Sequence, residues 1–402
     1  MKAPSFLRPL NAKQRLHRAI THMRAPKVSE RAPEDAFGPP VVAGLFSTPS
    51  GIGESARLCF AALDRLGKRP VAFDLSPRFD PVAALQTSIE PIAEMPAQAP
   101  LIIHLNPPEL PYAASFMGAQ AMQGRLVVGY WAWELPVMPT AWKSGFRYVH
   151  EIWVPSEFCA SAIRNRTDKP VYVVPHPLRL RPVKPDRQGF GIPSDDLALL
   201  SICDLRSSVA RKNLQGNIMA FRAAFPGPKR AILIIKLSGI EADVDLHARI
   251  RKDISDRDDI HVIDSTLAAD RMAALYESVD GFLSLHRAEG FGLGVAEAML
   301  RGKVAIATDW SGSRDFLSAS CGLPIPYRLV PVTDPQGIYP SDGQEWAEPD
   351  IPAAATALQR WAQDSDLRLK LGAAATALAE RYFSDTAYAQ ALSARFRRAS
   401  LF

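Results

Sequence analysis

Two carboxylates eight residues apart, Glu289 and Glu297, bracket the run Glu-Gly-Phe-Gly-Leu-Gly-Val-Ala-Glu. An apolar, strand-like stretch over 281–285 precedes it, and a helical pattern through Ala298, Met299 and Leu300 follows. A strand, a glycine-rich turn and a helix start together suit an anion. Gly290, Gly292 and Gly294 let the backbone approach a ligand, and the first free N–H groups of the helix point at its negative charge. Phe291 and Leu293 lie in the same turn and belong to the candidate ligand-binding set. Phosphate is the usual guest of such a turn. Carboxylates, by contrast, are poor phosphate partners and good acceptors for sugar hydroxyls. One before the turn and one in the helix suit a ligand with hydroxyls on both sides of a diphosphate, which is the shape of a nucleotide-sugar.

The elements that must position this turn are legible as alternating signals. Short apolar or β-branched runs at 41–47, 71–75, 101–105, 126–130, 152–154 and 171–174 are separated by helix-length stretches such as 55–66. A Pro-rich, polar segment over 175–196 interrupts the pattern and is the expected linker. A second series follows at 197–202, 231–235, 260–263, 281–285 and 304–307, and the tail from about 351 carries no strand signal. The pattern predicts an α/β protein of two doubly wound, Rossmann-like domains facing across a cleft, with ligands at the carboxyl ends of the strands.

Composition fits that reading. At 402 residues the chain exceeds what one core normally supports, and 47% hydrophobic content is ample for two. Cys59, Cys159, Cys203 and Cys321 are scattered without a CxxC pair, so reduced packing residues are expected rather than a disulfide frame or a zinc site. No apolar run approaches the length of a membrane span, and the N-terminus lacks an apolar signal region, so a cytoplasmic protein is expected. The net charge of +5 is modest and gives no reason to expect a nucleic-acid partner. It is unevenly spread. Lys2, Arg8, Lys13, Arg15, Arg18, Arg24, Lys27 and Arg31 face one acid, Glu30, while Leu16, Ile20 and Met23 recur at helical spacing. That combination suits peripheral contact with an anionic membrane, and equally a solvated arm or a helix packed on the body.

A rival reading starts from Gly51-Ile-Gly53-Glu-Ser-Ala56, which matches a dinucleotide fingerprint with Asp74 at the end of the next strand signal. It would make the chain an NAD-dependent oxidoreductase. A second phosphate turn flanked by carboxylates has no place in such an enzyme.

The stretch 284–317, SLHRAEGFGLGVAEAMLRGKVAIATDWSGSRDFL, resembles the donor-site signature of retaining GT-B glycosyltransferases, the family 4 group, also called glycosyl transferases group 1. The similarity continues in order through GLFSTPSGIGESAR (44–57), HLNPPELPY (104–112), GYWAWELPVMPTAW (129–142), EIWVPSEF (151–158) and CDLRSSVARKN (203–213). With the charge run and strand pattern marking a basic N-terminal segment over 1–35 and two domains over 36–185 and 186–375, the resemblance implies that the first is the acceptor domain, the second the nucleotide-sugar donor domain, and that a C-terminal helix over 376–402 returns to the first. It implies that Lys212 and one arginine, Arg206 or Arg211, meet the donor diphosphate, that Glu289 binds hydroxyls of the transferred sugar, and that Glu297 binds those of the ribose. Gly51 and Gly53 would close over the diphosphate from the first domain.

No cofactor or metal is implied, since family members generally work without one; the donor would be a UDP- or GDP-sugar. Where several relatives carry a histidine, this chain reads Gly129-Tyr-Trp-Ala-Trp-Glu134, so Trp131 and Trp133 become candidates to stack on an acceptor sugar and Glu134 to orient its hydroxyl. His104, His176 and Lys236 sit at strand ends and are read as structural, while Ser311 and Gly312 are weaker candidates for lining the donor site. The resulting expectation is front-face transfer of a hexose, mannose among the candidates, with retention of configuration. The acceptor would be a glycan or lipid-linked saccharide in bacterial surface-polysaccharide synthesis. A catalytically silent carbohydrate-binding or scaffold subunit is the alternative from another class.

Overall fold

The computed structural model describes residues 19–33, 38–80, 89–92, 94–227, 231–339 and 343–393. The chain divides into two compact units, Met1–Leu178 with Phe383–Phe402, and Arg179–Tyr382. Most of the basic arm, Lys2 through Arg18 with Leu16, lies outside the described residues, as does the tail beyond 393. Residues 19–24 are helical, and the chain after them packs on the first unit. There Ala25 is buried, Val28 N–H donates to Arg147 O at 3.2 Å, and Ser29 Oγ lies 3.3 Å from His150 Nε2.

The first unit is built on β1 (Val41–Gly44), β2 (Val71–Asp74), β3 (Leu101–Ile103), β4 (Val127–Tyr130), β5 (Glu151–Val154) and β6 (Val171–Val173). They form a parallel sheet in the order β2-β1-β3-β4-β5-β6. β1 is shorter than its apolar run. Asp74 draws Leu45–Ser50 out of the sheet by accepting from Phe46 N at 3.1 Å and Ser47 Oγ at 2.7 Å. The helix Gly51–Arg65 lies on this sheet through Ala56, Cys59, Ala62 and Leu63. The last helix, Asp385–Ser393, packs beside it: Tyr388 and Leu392 join the same core, Tyr388 Oη donates to Cys59 Sγ at 3.1 Å, and Arg65 pairs with Asp385 at 2.6 Å.

The second unit uses β7 (Leu197–Asp204), β8 (Ala231–Ser238), β9 (Ile260–Ile263), β10 (Gly281–Ser284), β11 (Val304–Thr308) and β12 (Leu323–Ile325). Their order, β12-β11-β10-β7-β8-β9, is a doubly wound parallel sheet whose strand order reverses between β7 and β10. The runs Leu197–Asp204 and Ala231–Ser238 are almost continuously buried, as strands covered by helices on both faces must be. A short antiparallel pair, β13 (Tyr327–Pro331) and β14 (Glu345–Pro349), had no clear signal in the sequence.

The expected linker over 175–196 is instead largely attached to the second unit. Asp186 N–H donates to Ser278 Oγ at 2.7 Å, Arg187 donates to Ser278 O at 2.9 Å, and Arg271 stacks over Phe190 at 4.1 Å while pairing with Asp186. The division therefore falls at Leu178/Arg179 and at Tyr382/Phe383.

Candidate active site

At the reversal between β7 and β10, two loops leave the carboxyl ends of neighbouring strands. The first, after β7, carries the short helix Val209–Lys212; the second, after β10, carries residues 285–292 and runs into the helix Leu293–Leu300. The loops are tied together repeatedly. Arg287 N–H donates to Arg211 O at 2.7 Å, Arg287 Nη1 to Ala210 O at 2.7 Å, Arg211 Nη1 to Ala288 O at 2.7 Å, and Asn213 Nδ2 to Leu285 O at 2.8 Å. Asn213, with φ of 52°, ends the short helix in the left-handed region, where asparagine is among the few tolerated side chains.

These ties bring three of the expected residues together. Glu289 Oε1 accepts from Lys212 Nζ at 2.5 Å and lies 3.1 Å from Arg211 Nη1. Burial would push the Glu289 carboxyl up, but the Lys212 and Arg211 charges more than reverse this and hold it at about 2. At neutral pH Glu289 is thus an acceptor only, suited to hydroxyls and unable to serve as a general acid. Two cations against one carboxylate leave one positive unit beside the helix start, to which the helix dipole adds roughly half a charge.

The other arginine is placed differently. Arg206 folds onto its own strand end, with Nε 3.0 Å and Nη2 2.9 Å from the Asp204 carboxylate oxygens. Lys236 is likewise drawn to its own strand, donating to Leu237 O at 2.5 Å and Ser238 Oγ at 3.1 Å.

Within the glycine-rich turn the residues divide. Gly292, with φ of 97°, begins the helix and, being glycine, supplies no side-chain cap to the N–H groups of its first turn. Gly294 answers to packing, since a Cβ there would meet Phe282 Cζ at 2.6 Å. Phe291 is buried against Phe316, with ring centres 5.1 Å apart, and anchors the turn from below. Leu293 opens the helix, half-buried. Gly290 is pressed by Gly312, where a Cβ would come within 2.3 Å of Gly290 O. Ser311 holds the turn from the far side: its Oγ accepts from Glu289 N at 2.8 Å and its φ of 68° is a rare conformation for serine. Glu297 accepts from the buried Arg301 Nη1 at 2.7 Å, one helical turn on.

In the first unit the glycines have another use. The helix begins at Gly51 itself, with residues 45–50 between it and β1, so Gly51 and Gly53 lie within the first helical turn and not in a strand-to-helix turn. A Cβ on Gly53 would meet the carbonyls of Leu45 and Thr48 at 2.6 Å; one on Gly51 would meet nothing within 4 Å. Asp74, the fingerprint's ribose partner, is occupied by Phe46, Ser47 and Ser76. The dinucleotide geometry is absent at this loop.

Trp131 and Trp133 are packed in the interior and not presented to an acceptor. Both rings are buried, Trp131 over Gly129 and beside Phe146, Trp133 against Trp142 with Nε1 donating to Val137 O at 2.9 Å, so neither offers a free face to a sugar. Glu134 between them and the next buried residue is half-buried. His104 and His176 stack on either side of Tyr130, and burial lowers both, His176 to about 3, so they are neutral packing groups.

Three Asp-x-Asp spacings, at Asp243/Asp245, Asp256/Asp258 and Asp364/Asp366, qualify the metal-free expectation. The leading residue of each has a structural partner: Asp243 caps Leu246, Asp256 pairs with Arg222, and Asp364 caps Leu367. The residue the sequence reading missed is Arg287, which ties the two loops together. Its signal was its place inside the quoted 284–317 stretch, two residues before Glu289.

No family model matches the chain, and no curated protein matches it in sequence. Solved structures do match. Sucrose-phosphate synthase from Thermosynechococcus elongatus aligns with a TM-score of 0.65 at 15% identity, over 90% of this chain and 99% of that one. HepE from Anabaena, in complex with UDP-glucose, aligns at 0.63 and 14%, over 89% and 98%. The fold is GT-B. A TarM variant from S. aureus, in complex with fondaparinux, α-GlcNAc-glycerol and UDP, aligns at 0.52 and 12%; this chain covers 74% of itself and about half, 55%, of TarM.

Proposed function

We propose that this GT-B chain is a glycosyltransferase of the family 4 group that uses a UDP- or GDP-sugar and retains the donor's configuration. The observation carrying the proposal is the Lys212–Glu289–Arg211 cluster at the strand reversal, immediately before an uncapped helix start. Fold-level likeness to structures that hold UDP or UDP-glucose supports it.

In this reading the diphosphate sits at the start of Leu293–Leu300 and exchanges contacts with Lys212 and Arg211, whose fixed charges stabilise the departing nucleoside diphosphate. Glu289, released from part of its ion pair, accepts from hydroxyls of the transferred sugar, and Glu297 from the ribose. The leaving phosphate oxygen takes the acceptor's proton on the same face, which preserves configuration without a protein nucleophile. The donated sugar is a hexose, and the acceptor a glycan or lipid-linked saccharide. The basic arm is proposed as a peripheral membrane contact; full-length protein that ignores anionic liposomes at low salt would remove that part.

Thermal-shift screening against UDP, GDP, ADP and NAD tests the donor class, because a ligand that binds only the folded state raises its melting temperature. Stabilisation by NAD alone would overturn the proposal. Glu289→Ala should lower kcat with little change in nucleoside diphosphate affinity, whereas Glu297→Ala should weaken nucleotide binding itself. NMR of the product linkage should show retention; an inverted product would demand a base that this reading does not supply. Activity lost in EDTA and restored by Mg²⁺ or Mn²⁺ would contradict the metal-free mechanism.

A further inference from the structure

β13 and β14 form an arm outside the main sheet, and the residues it carries converge on the cation-bearing loop. Asp334 is a hub. Its Oδ2 accepts from Ile338 N at 2.8 Å and Tyr339 N at 3.0 Å, and its Oδ1 from Ser208 Oγ at 3.0 Å. Ser208, fully buried, uses the same oxygen to accept from Arg211 N at 3.1 Å, so a two-bond relay runs from Asp334 to the backbone of Arg211. Gln336 spans the loop's ends: Oε1 accepts from Val209 N at 2.6 Å, and Nε2 donates to Leu205 O at 3.2 Å. Gln336 thereby supplies an acceptor to the start of the helix Val209–Lys212, which is too short to be stable alone.

Asp334 and Gln336 follow β13, and β14 itself is bolted to the second loop. Ala347 N–H donates to Arg287 O at 2.9 Å, and Glu348 accepts from Arg287 Nε at 2.7 Å and Nη2 at 3.1 Å, while Arg287 Nη1 reaches across to Ala210 O. One arm thus grips both sides of the Lys212–Glu289–Arg211 cluster. A four-residue helix holding two cations side by side has few internal bonds of its own, and mutual repulsion favours their spreading apart.

We propose that the arm is a brace that fixes the spacing of Arg211 and Lys212 against Glu289 for diphosphate binding, with Asp334 and Gln336 as positioning residues and the Arg287–Glu348 pair as its second anchor. The inference rests on Arg211 and Lys212 being the diphosphate cations. Because the brace acts only through those cations, loosening it should weaken the grip on phosphates and spare the grip on the nucleoside.

Calorimetric titration of UDP with uridine, and of GDP with guanosine, tests this on the full chain and on Asp334→Ala, Asp334→Asn, Gln336→Ala, Glu348→Gln and Lys212→Ala, each with its melting temperature. The expected result is a loss of about tenfold in nucleoside diphosphate affinity for Asp334→Ala and Gln336→Ala, with nucleoside affinity within about twofold of wild type. Asp334→Asn keeps an oxygen for Ser208 but turns a donor NH2 toward Ile338 N and Tyr339 N, so it should recover only part of the loss. If Asp334→Ala fails to fold, Gln336→Ala and Glu348→Gln carry the same comparison from the loop's other contacts. Unchanged diphosphate affinity in the brace variants, beside a loss in Lys212→Ala, overturns the brace alone. Equal losses for nucleoside and nucleoside diphosphate also overturn it, since they mean general loosening. Wild type and Lys212→Ala binding the diphosphate alike, or not at all, overturns the reading of the cations and the brace with it.

Discussion

In each unit a loop runs from the carboxyl end of the sheet into a helix with glycines near its start, and the two helix starts spend those glycines on different things. In the first unit Gly53 makes room for the chain's own carbonyls at Leu45 and Thr48, Asp74 is absorbed by the loop it holds, and the buried polar groups nearby are the neutral rings of His104, Tyr130 and His176. In the second unit the turn ends in an uncapped helix start, and the nearby buried groups are charged, with Glu289 locked between Lys212 and Arg211. Similar punctuation in sequence therefore yields a sterically closed loop in one place and an anion-ready one in the other. The physical difference is where hydrogen-bond capacity is left over.

The widest separation between the two should appear in activity. Lys212→Ala is expected to cost about 2.7 to 4 kcal/mol of transition-state stabilisation, as loss of one preorganised oxyanion donor does, read from kcat/KM. Arg206→Ala, whose guanidinium rests on Asp204, should cost far less. A comparable loss in Arg206→Ala would mean that the arginine leaves Asp204 to reach the donor.

Stability should next show what both glycine loops share. A Cβ at Gly53 meets backbone and one at Gly294 meets the Phe282 ring, each at 2.6 Å, so alanine at either position should destabilise by about 1–3 kcal/mol in urea unfolding. Full stability in Gly53→Ala would show that the first loop has slack, and the contrast drawn here would weaken.

Acid should separate the units. Burial lowers His104, His150 to about 4 and His176 to about 3 in the first unit, and His286 in the second, all from an ordinary value of 6.5, so the unfolded chain takes up protons first and both units lose stability as pH falls below about 6.5, the first, with three such rings to one, losing more. Glu289 is depressed from 4.5 to about 2, so its contribution is present above 4.5 and lost only as pH falls from there through about 2. Residue-resolved NMR during acid titration should show amides of β3 and β4 losing protection before those of β7 and β10; simultaneous loss would break the comparison. The smallest effect is expected at Gly51, where an added methyl meets nothing within 4 Å and alanine should shift stability by under about 0.5 kcal/mol. Lost activity in that stable variant would sharpen the picture by giving Gly51 a role beyond packing.

Local pattern was enough for the two α/β series, because strands covered on both faces read as apolar runs and helices as periodic ones; β7 and β8 were each found from such a run, though both extend past it. Local pattern also located the turn at 289–297 with its two carboxylates, since that signal lies in a short stretch of chain, while Lys212 was nominated by the family resemblance of 203–213. Three-dimensional packing decided the rest. Residues 77 positions apart, Lys212 and Glu289, meet only because β7 and β10 are neighbours in the sheet, and that same adjacency selects Arg211 over Arg206 as the partner of Glu289. Trp131 and Trp133 are compatible in sequence with either an aromatic face for a sugar or ordinary packing, and their burial decides for packing; Asp334 reaches Ser208 across 126 positions that no local signal spans. A sequence states which groups are carried and how each short segment prefers to fold. Which of those groups remain unspent once every buried donor, acceptor and apolar face has found its partner is a property of the whole packing, and it is the unspent groups that are left to bind a ligand.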